Sequence, residues 1–132
     1  MAAESNGAAK AENRIGSAAV RHWNLRELDT RGGSRSPRVL ESGEGTARAV
    51  LIGLEPGQEL GDHQVKEHAF IVVVDGRVHV ECGGERIDAE AGTLLRFEPD
   101  ERHAVSTEDG ARLLLLLAPW PGLGHYRGSS AA

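Results

Sequence analysis

The chain has 132 residues and a mass of 14.1 kDa, the size of a single domain. Hydrophobic residues make up 39% and charged residues 27%, proportions typical of a globular protein. The longest aliphatic run, Leu113 to Leu117, is too short to span a bilayer, so no membrane partner is expected. Glycine accounts for 17 residues, about twice its usual share, which favours many short strands and turns over a helix bundle.

Charge is distributed unevenly along the chain. Residues 1–38 hold seven bases and four acids, a net charge of +3, whereas residues 39–132 hold 8 bases and 16 acids, a net of −8. Such an acidic body lacks the clustered cations that phosphates require, so no nucleic-acid partner is expected. The single cysteine, Cys82, cannot form an internal disulfide or a cysteine-based zinc site. Because no basic N-terminus leads into an apolar stretch either, we expect a cytoplasmic protein.

Four segments follow one another along the chain. Residues 1–22 are small, polar and non-periodic, which predicts a disordered N-terminal leader. Residues 23–37 begin with an apolar anchor at Trp23 and continue into a glycine- and serine-rich stretch, which predicts a docking segment and a loop. Residues 38–120 are predicted to form the folded β-domain, and residues 121–132 a C-terminal tail.

Turn signals recur every eight to twelve residues between residues 38 and 118, with β-branched and aliphatic runs between them. Asp75-Gly76, between two apolar runs, predicts a two-residue hairpin. The pattern predicts an all-β antiparallel sandwich or barrel of about nine short strands. These strands are expected at residues 38–41, 46–54, 61–65, 69–74, 77–82, 85–89, 93–98, 103–107 and 111–118.

The aliphatic run Leu113–Leu117 does not alternate with polar residues, so we expect both of its faces to be covered. One face would lie on the core of the β-domain. The other would be covered by a second sheet, by the N-terminal segment or by a partner subunit. The protein is therefore expected to form a homodimer.

Among the six histidines, two are candidates for a site. His63 and His103 each lie beside a turn, at a strand end, where side chains converge at the mouth of a barrel. His79 lies on the polar face of an alternating strand, and His125 lies in the tail, so neither is given a role. Cys82 falls on the apolar face of its strand and is expected to be unreactive.

Two stretches resemble the motifs of a known family. Residues 57–76 run from one glycine through His63 to another glycine, with the spacing of the first cupin motif. Residues 92–103 run from a glycine through a proline to His103, as in the second cupin motif. The chain resembles a small single-domain cupin over roughly residues 38–118, and this resemblance implies a jelly-roll β-barrel.

The resemblance also implies where a metal would bind. In metal-binding cupins the first motif supplies two histidines and a glutamate, and the second motif supplies one more histidine. Carried over by position, the metal ligands are His63 and His103, while Val65 and Ala69 stand where the second histidine and the glutamate would be. Two of the four ligands are therefore missing from this set. The expected cofactor is a divalent metal (iron, zinc, manganese or nickel) or none.

A third ligand could come from the corner beside these positions, as Glu67 or His68. Alternation along residues 63, 65, 67 and 69 points Glu67 inward and His68 outward unless a bulge turns the chain. Either residue would complete a set typical of transition-metal sites, two histidines with one carboxylate or three histidines.

The remaining inward positions give the predicted pocket an aliphatic wall, so a small-molecule ligand is expected. Its predicted lining residues are His63, Val65, Ala69, Ile71, Val73 and His103. Three functions stay open on this basis, because the same fold supports many activities. They are a small-molecule-binding cupin with or without metal, a metal-dependent cupin enzyme of dioxygenase or isomerase type, and a dimeric regulatory or stress-associated protein.

Overall fold

The computed structural model describes residues 20–30, 37–123 and 125, without the side chains of Asp62 and His63. Most of the predicted leader and tail lies outside these residues. Within them the fold is entirely antiparallel β, as the sequence predicts. No helix in the described ranges is long and apolar enough to cross a membrane.

Eight strands make up the described part of the chain. They are β1 Pro37–Ser42, β2 Thr46–Leu54, β3 Glu59–His63, β4 His68–Cys82, β5 Glu85–Glu90, β6 Leu94–Phe97, β7 His103–Ser106 and β8 Ala111–Trp120. One sheet has the order β1-β2-β8-β4-β6, and the other has the order β5-β4-β7-β3. Strand β4 belongs to both, so it joins the two sheets into one curled structure.

The predicted hairpin at Asp75-Gly76 is wrong, because β4 continues through it. The first part of β4 pairs with β6 and β8, and the part from Arg77 onward pairs with β5 and β7. Gly76 has a φ of 83°, and the pairing with β8 shifts register between Val73 and Asp75. The left-handed glycine and the bulge therefore bend the strand from one sheet into the other instead of reversing it. The predicted strands at 69–74 and 77–82 are accordingly one strand.

The core lies between the two sheets and is formed by alternate side chains of the paired strands. In β4 and β8 the inward pairs include Ala69 with Leu117 and Val73 with Leu113, all of them buried. Burying such aliphatic groups is the main favourable contribution to folding. The buried core cluster is Val50, Ile52, Leu54, Ala69, Ile71, Val73, Val78, Val80, Ala89, Leu95, Phe97, Val105, Leu113, Leu117 and Trp120.

The N-terminal docking segment packs on the outer face of the first sheet. The guanidinium of Arg112 donates hydrogen bonds from Nη1 to the carbonyl oxygens of Leu25, at 2.9 Å, and Leu28, at 2.5 Å. Thr30 lies directly over Gly53, where an added Cβ would be 2.3 Å from the Thr30 Oγ1. The segment thus covers the end of this face beside Arg112 and Gly53; which of the three alternatives covers the run 113–117 stays a prediction.

Candidate functional site

Glu67 lies in the bend just before β4 and is 1% exposed. Its burial agrees with the alternation that points it inward. One carboxylate oxygen, Oε2, accepts the N–H of Gly122 at 2.8 Å and lies 2.8 Å from Nδ1 of His125. The other oxygen, Oε1, is buried and has no hydrogen-bond partner among the described residues. A buried acceptor left unmatched costs about 1–3 kcal/mol, so Oε1 is where this site is incomplete.

The segment after β8 packs tightly against Glu67. A Cβ at Gly122 would lie 2.7 Å from the carbonyl oxygen of Lys66 and 3.0 Å from Cγ of Glu67, so only glycine fits there. The His125 ring meets the Trp120 ring edge to face, with centroids 4.7 Å apart and planes at 67°. Two residues without a role predicted from the sequence, Gly122 and His125, therefore contact the Glu67 carboxylate, and Trp120 packs against the second of them.

His103 opens strand β7 and is 2% exposed. Its Nδ1 lies 3.1 Å from the carbonyl oxygen of Glu101, and a carbonyl can only accept, so Nδ1 carries the proton. In the neutral ring Nε2 then keeps its lone pair, the tautomer that metal-binding histidines use. Phe97 stacks on the imidazole with a centroid distance of 4.0 Å and an angle of 11° between the planes. The Glu101 hydrogen bond and the stacked Phe97 ring thus both restrict the orientation of the imidazole.

Backbone pairing brings the two predicted motifs to the same end of the barrel. His63 of β3 pairs in register with His103 of β7. The N–H of Asp100 donates to the carbonyl oxygen of Val65 at 2.7 Å. Residues 63–69 and 97–103 thus run beside each other, which places Glu67 and His103 on neighbouring segments at this end of the barrel; that they form one site stays a prediction. The side chain of His63 lies outside the described residues.

The other predicted site residues differ in how deeply they are buried. His68 is partly exposed, with Nε2 3.5 Å from Oε1 of Glu98, so it points outward as alternation expects. Val65 is half-buried and packs against the core. Ile71 and Val73 are 2% and 0% exposed and belong to the core itself. Whether a ligand reaches these aliphatic side chains stays a prediction.

The donor atoms of the site suit a cation, although the described residues do not complete a metal site. Among them no group of three or more histidine, cysteine, aspartate or glutamate side chains could hold a metal ion. Glu67 offers an oxygen and His103 a nitrogen, which are ligands that zinc, iron, manganese and nickel accept. Both donor types are therefore chemically compatible with a divalent metal, and the metal itself stays a prediction.

A second pair of titratable groups lies beside His103. Cys82 pairs in register with His103, and burial raises the pKa of its thiol. A hydrogen bond to Glu101 and the negative charge of that residue raise the thiol pKa further. The pKa of Glu101 is lowered, chiefly by the backbone N–H of Glu98 and then by the Cys82 hydrogen bond. Cys82 is thus held in its unreactive thiol form, in agreement with the expectation from sequence.

His79 lies on the other face of the second sheet, opposite the buried Val78 and Val80. Its Nδ1 is 2.6 Å from Oδ1 of Asp88, and this hydrogen bond is the main reason that the pKa of Asp88 is lowered. His79 therefore makes its hydrogen bond to Asp88 on the outer face of the second sheet.

Two cavities formed by described residues also lie elsewhere. One of about 410 Å³ borders Thr30 and Arg112, and one of about 610 Å³ borders Cys82 and Arg102. Neither is lined by any of the predicted site residues.

The family can be stated from this fold and site. A family profile described as Cupin domain matches residues 50–118, which is slightly more than half of the chain. The chain belongs to the cupin family, and its fold is the jelly-roll β-barrel that the two motifs imply. No functionally curated protein matches it.

Solved structures support the same fold. An uncharacterised Klebsiella pneumoniae protein with a double-stranded β-helix domain is 17% identical, with 79% of this chain and 94% of that one covered and a TM-score of 0.69. The cupin domain of Schizosaccharomyces pombe Cnp3 is 12% identical, with coverages of 81% and 80% and a TM-score of 0.68. A conserved Streptococcus pyogenes protein of unknown function is 20% identical, with coverages of 78% and 89% and a TM-score of 0.64. At these identities the likeness concerns the fold alone.

Proposed function

We propose that the mouth of this cupin barrel binds a divalent cation through Glu67 and His103, and binds a small molecule beside it. The observation that carries the proposal is the buried Glu67 Oε1, which has no hydrogen-bond partner among the described residues. The cupin resemblance implies His63 as a further ligand. Three protein ligands leave coordination positions open, and these would take a polar group of the small molecule.

The chemistry of the two described groups restricts what can bind between them. A carboxylate oxygen and the Nε2 lone pair of a neutral imidazole both offer electron pairs, so a cation suits them and an anion does not. Val65 and Phe97 border the same end of the barrel with apolar surface. The small molecule is therefore expected to combine one oxygen- or nitrogen-bearing end with an apolar body.

Each residue would contribute a separate property to binding. Glu67 supplies negative charge in a place shielded from water, where an electrostatic attraction is stronger than at the surface. His103 supplies a nitrogen whose direction is set by the Glu101 carbonyl and the Phe97 ring. A bound cation would polarise the group of the small molecule that it contacts.

The test is metal analysis of protein purified without a histidine tag, after supplementation with manganese, iron, zinc or nickel. We expect stoichiometric metal in the unmodified protein and its loss in the double variant His63→Ala/His103→Ala and in Glu67→Gln. His79→Ala is the control, because His79 pairs with Asp88 on the outer face of the second sheet. Absence of metal from the unmodified protein after supplementation would overturn the proposal.

A further inference from the structure

The two oxygens of the Glu67 carboxylate have different surroundings. Oε2 receives the N–H of Gly122 and the Nδ1 of His125, both at 2.8 Å. Oε1 is buried without a hydrogen-bond partner among the residues that the structure describes. A carboxylate with a purely structural role would be expected to have both oxygens satisfied, since buried polar atoms nearly always are. The arrangement instead leaves one oxygen available.

We propose that His125 is a positioning residue that holds Glu67 so that Oε1 is presented as a ligand. This inference rests on the proposed cation site. The terminal torsion of a glutamate has broad minima, so the carboxylate plane turns easily unless something holds it. The Gly122 amide alone leaves that rotation open. A second donor on the same oxygen, the imidazole of His125, restricts it.

His125 is itself held in place by its surroundings. Its ring contacts the edge of Trp120 at a centroid distance of 4.7 Å, and the side chain is only 29% exposed. The carbonyl of Trp120 accepts the N–H of Gly45 at 2.6 Å, and the guanidinium carbon of Arg48 lies 5.0 Å above the Trp120 ring. The end of strand β8 thus holds the His125 ring in place, and the ring in turn holds the Glu67 carboxylate. Partners of this kind orient metal ligands in many proteins.

Three substitutions at one position separate positioning from bulk packing. His125→Asn keeps an N–H donor close to where Nδ1 stands, because the asparagine amide nitrogen and Nδ1 are both two bonds from Cβ. His125→Leu keeps volume but removes the donor. His125→Gln places its amide nearer to the position of Nε2, away from Glu67. His79→Leu is the matched control, because it removes a comparable histidine–carboxylate contact, 2.6 Å to Asp88, on the outer face of the second sheet.

The experiment titrates the full chain with Co²⁺, following heat and visible absorption at neutral pH, with thermal melting to verify the fold of each variant. We expect His125→Leu to weaken Co²⁺ binding about 10- to 100-fold, the usual cost of losing a partner that orients a metal ligand. At saturating Co²⁺ its absorption bands should differ from those of the unmodified protein, because the Glu67 carboxylate is no longer held in one orientation. His125→Asn should bind nearly as well as the unmodified protein, and His79→Leu should not differ from it.

The outcomes distinguish this inference from the function on which it rests. If the unmodified protein binds Co²⁺ and Glu67→Gln does not, but His125→Leu binds unchanged, His125 has only a structural role and the inference is wrong. If the unmodified protein binds no Co²⁺, both the inference and the proposed function are wrong. Should His125→Leu not fold, the comparison of His125→Gln with His125→Asn decides, because equal affinities would contradict positioning by a donor at the Nδ1 position.

Discussion

Cys82, the only cysteine of the chain, lies opposite His103 in the sheet. Its reactivity depends on the carboxylate of Glu101, which is hydrogen-bonded to the thiol. Burial raises the pKa of Cys82, and Glu101 raises it further by accepting its hydrogen bond and by its charge. Because the pKa of Glu101 is lowered, that residue is ionised at neutral pH and its charge acts on the thiol. The raised pKa means that the thiolate, the form that reacts, appears only at a pH above that of an ordinary cysteine.

We expect Glu101→Gln to lower the pKa of Cys82 and to speed its alkylation severalfold at pH 8. The variant removes the negative charge, while its amide oxygen can still accept the N–H of Glu98 that Glu101 receives at 2.9 Å. Iodoacetamide rates measured from pH 6 to pH 10 would show the midpoint of the profile moving to lower pH. Glu85→Gln is the control and should shift the midpoint less, because the charge of Glu85 raises the pKa of this thiol less than Glu101 does. A midpoint that does not move in Glu101→Gln would contradict this account.

At the same scale, Glu67 and His125 show which part of the site the sequence predicts. Alternation along residues 63–69 was enough to place Glu67 inward, because strand side chains alternate regularly. His125 carried no such signal, since it lies beyond the last strand in a segment without periodicity. Its contact with Glu67 spans 58 positions of the chain, and only the folded barrel brings them together. Long-range contacts of this kind leave no local pattern to find.

Among the elements, β4 is the one that determines how the barrel closes, and Gly76 is where it changes sheets. Gly76 has a φ of 83°, and a Cβ there would lie 2.2 Å from the carbonyl oxygen of Gly110 and 2.8 Å from Cα of Ala111. Both contacts are with backbone, which cannot rotate away as a side chain can. Any side chain at this position therefore forces β4 and the start of β8 apart.

We expect Gly76→Ala to reduce the free energy of unfolding by about 2–5 kcal/mol, the sum of the left-handed conformation and the overlap with the β8 backbone. Gly57→Ala is the matched control, because Gly57 has a φ of 84° and its added Cβ would meet nothing within 4 Å. That variant should lose only about 1–2 kcal/mol, the cost of the conformation alone. Urea denaturation of the two variants measures the difference. Equal losses would show that the approach of Gly110 to Gly76 is not tight.

Strand β4 also shows why the sequence alone does not predict where each strand ends. Asp-Gly between apolar runs favours a hairpin because glycine adopts a positive φ. The positive φ is present at Gly76, but a single left-handed residue can also bend a strand, and the choice depends on which strands lie alongside. Here β5 and β7 pair with the continuation of β4 and keep it extended. The positive φ at Gly76 was therefore predictable from the sequence. Whether it reverses the chain or only bends the strand depends on pairing with distant strands.

For the whole molecule, the outer face of the first sheet carries neighbouring apolar side chains from three strands. Between the inward residues of β4 and β8 lie Val72 and Leu114, paired with each other, and Val72 also pairs with Leu94 of the edge strand β6. Leu94 is 61% exposed. The docking segment covers the end of this face near Arg112, but Leu94 lies on the far edge. We propose that a second copy of the chain covers the rest, in the homodimer that the unbroken aliphatic run of β8 predicts.

Leu94→Glu is the substitution that tests this dimer without disturbing the core, since its side chain is already mostly exposed. Burying a glutamate without a partner is costly, so we expect the dissociation constant to rise at least about tenfold. Sedimentation velocity at micromolar concentrations should show a dimer for the unmodified protein and monomer for the variant. Ile87→Glu is the control, because Ile87 is 41% exposed on β5 of the other sheet and should leave the dimer intact. An unmodified protein that sediments as a monomer would contradict the dimer. The apolar outer face would then be exposed to water, and only the docking segment would remain to cover the aliphatic run of β8.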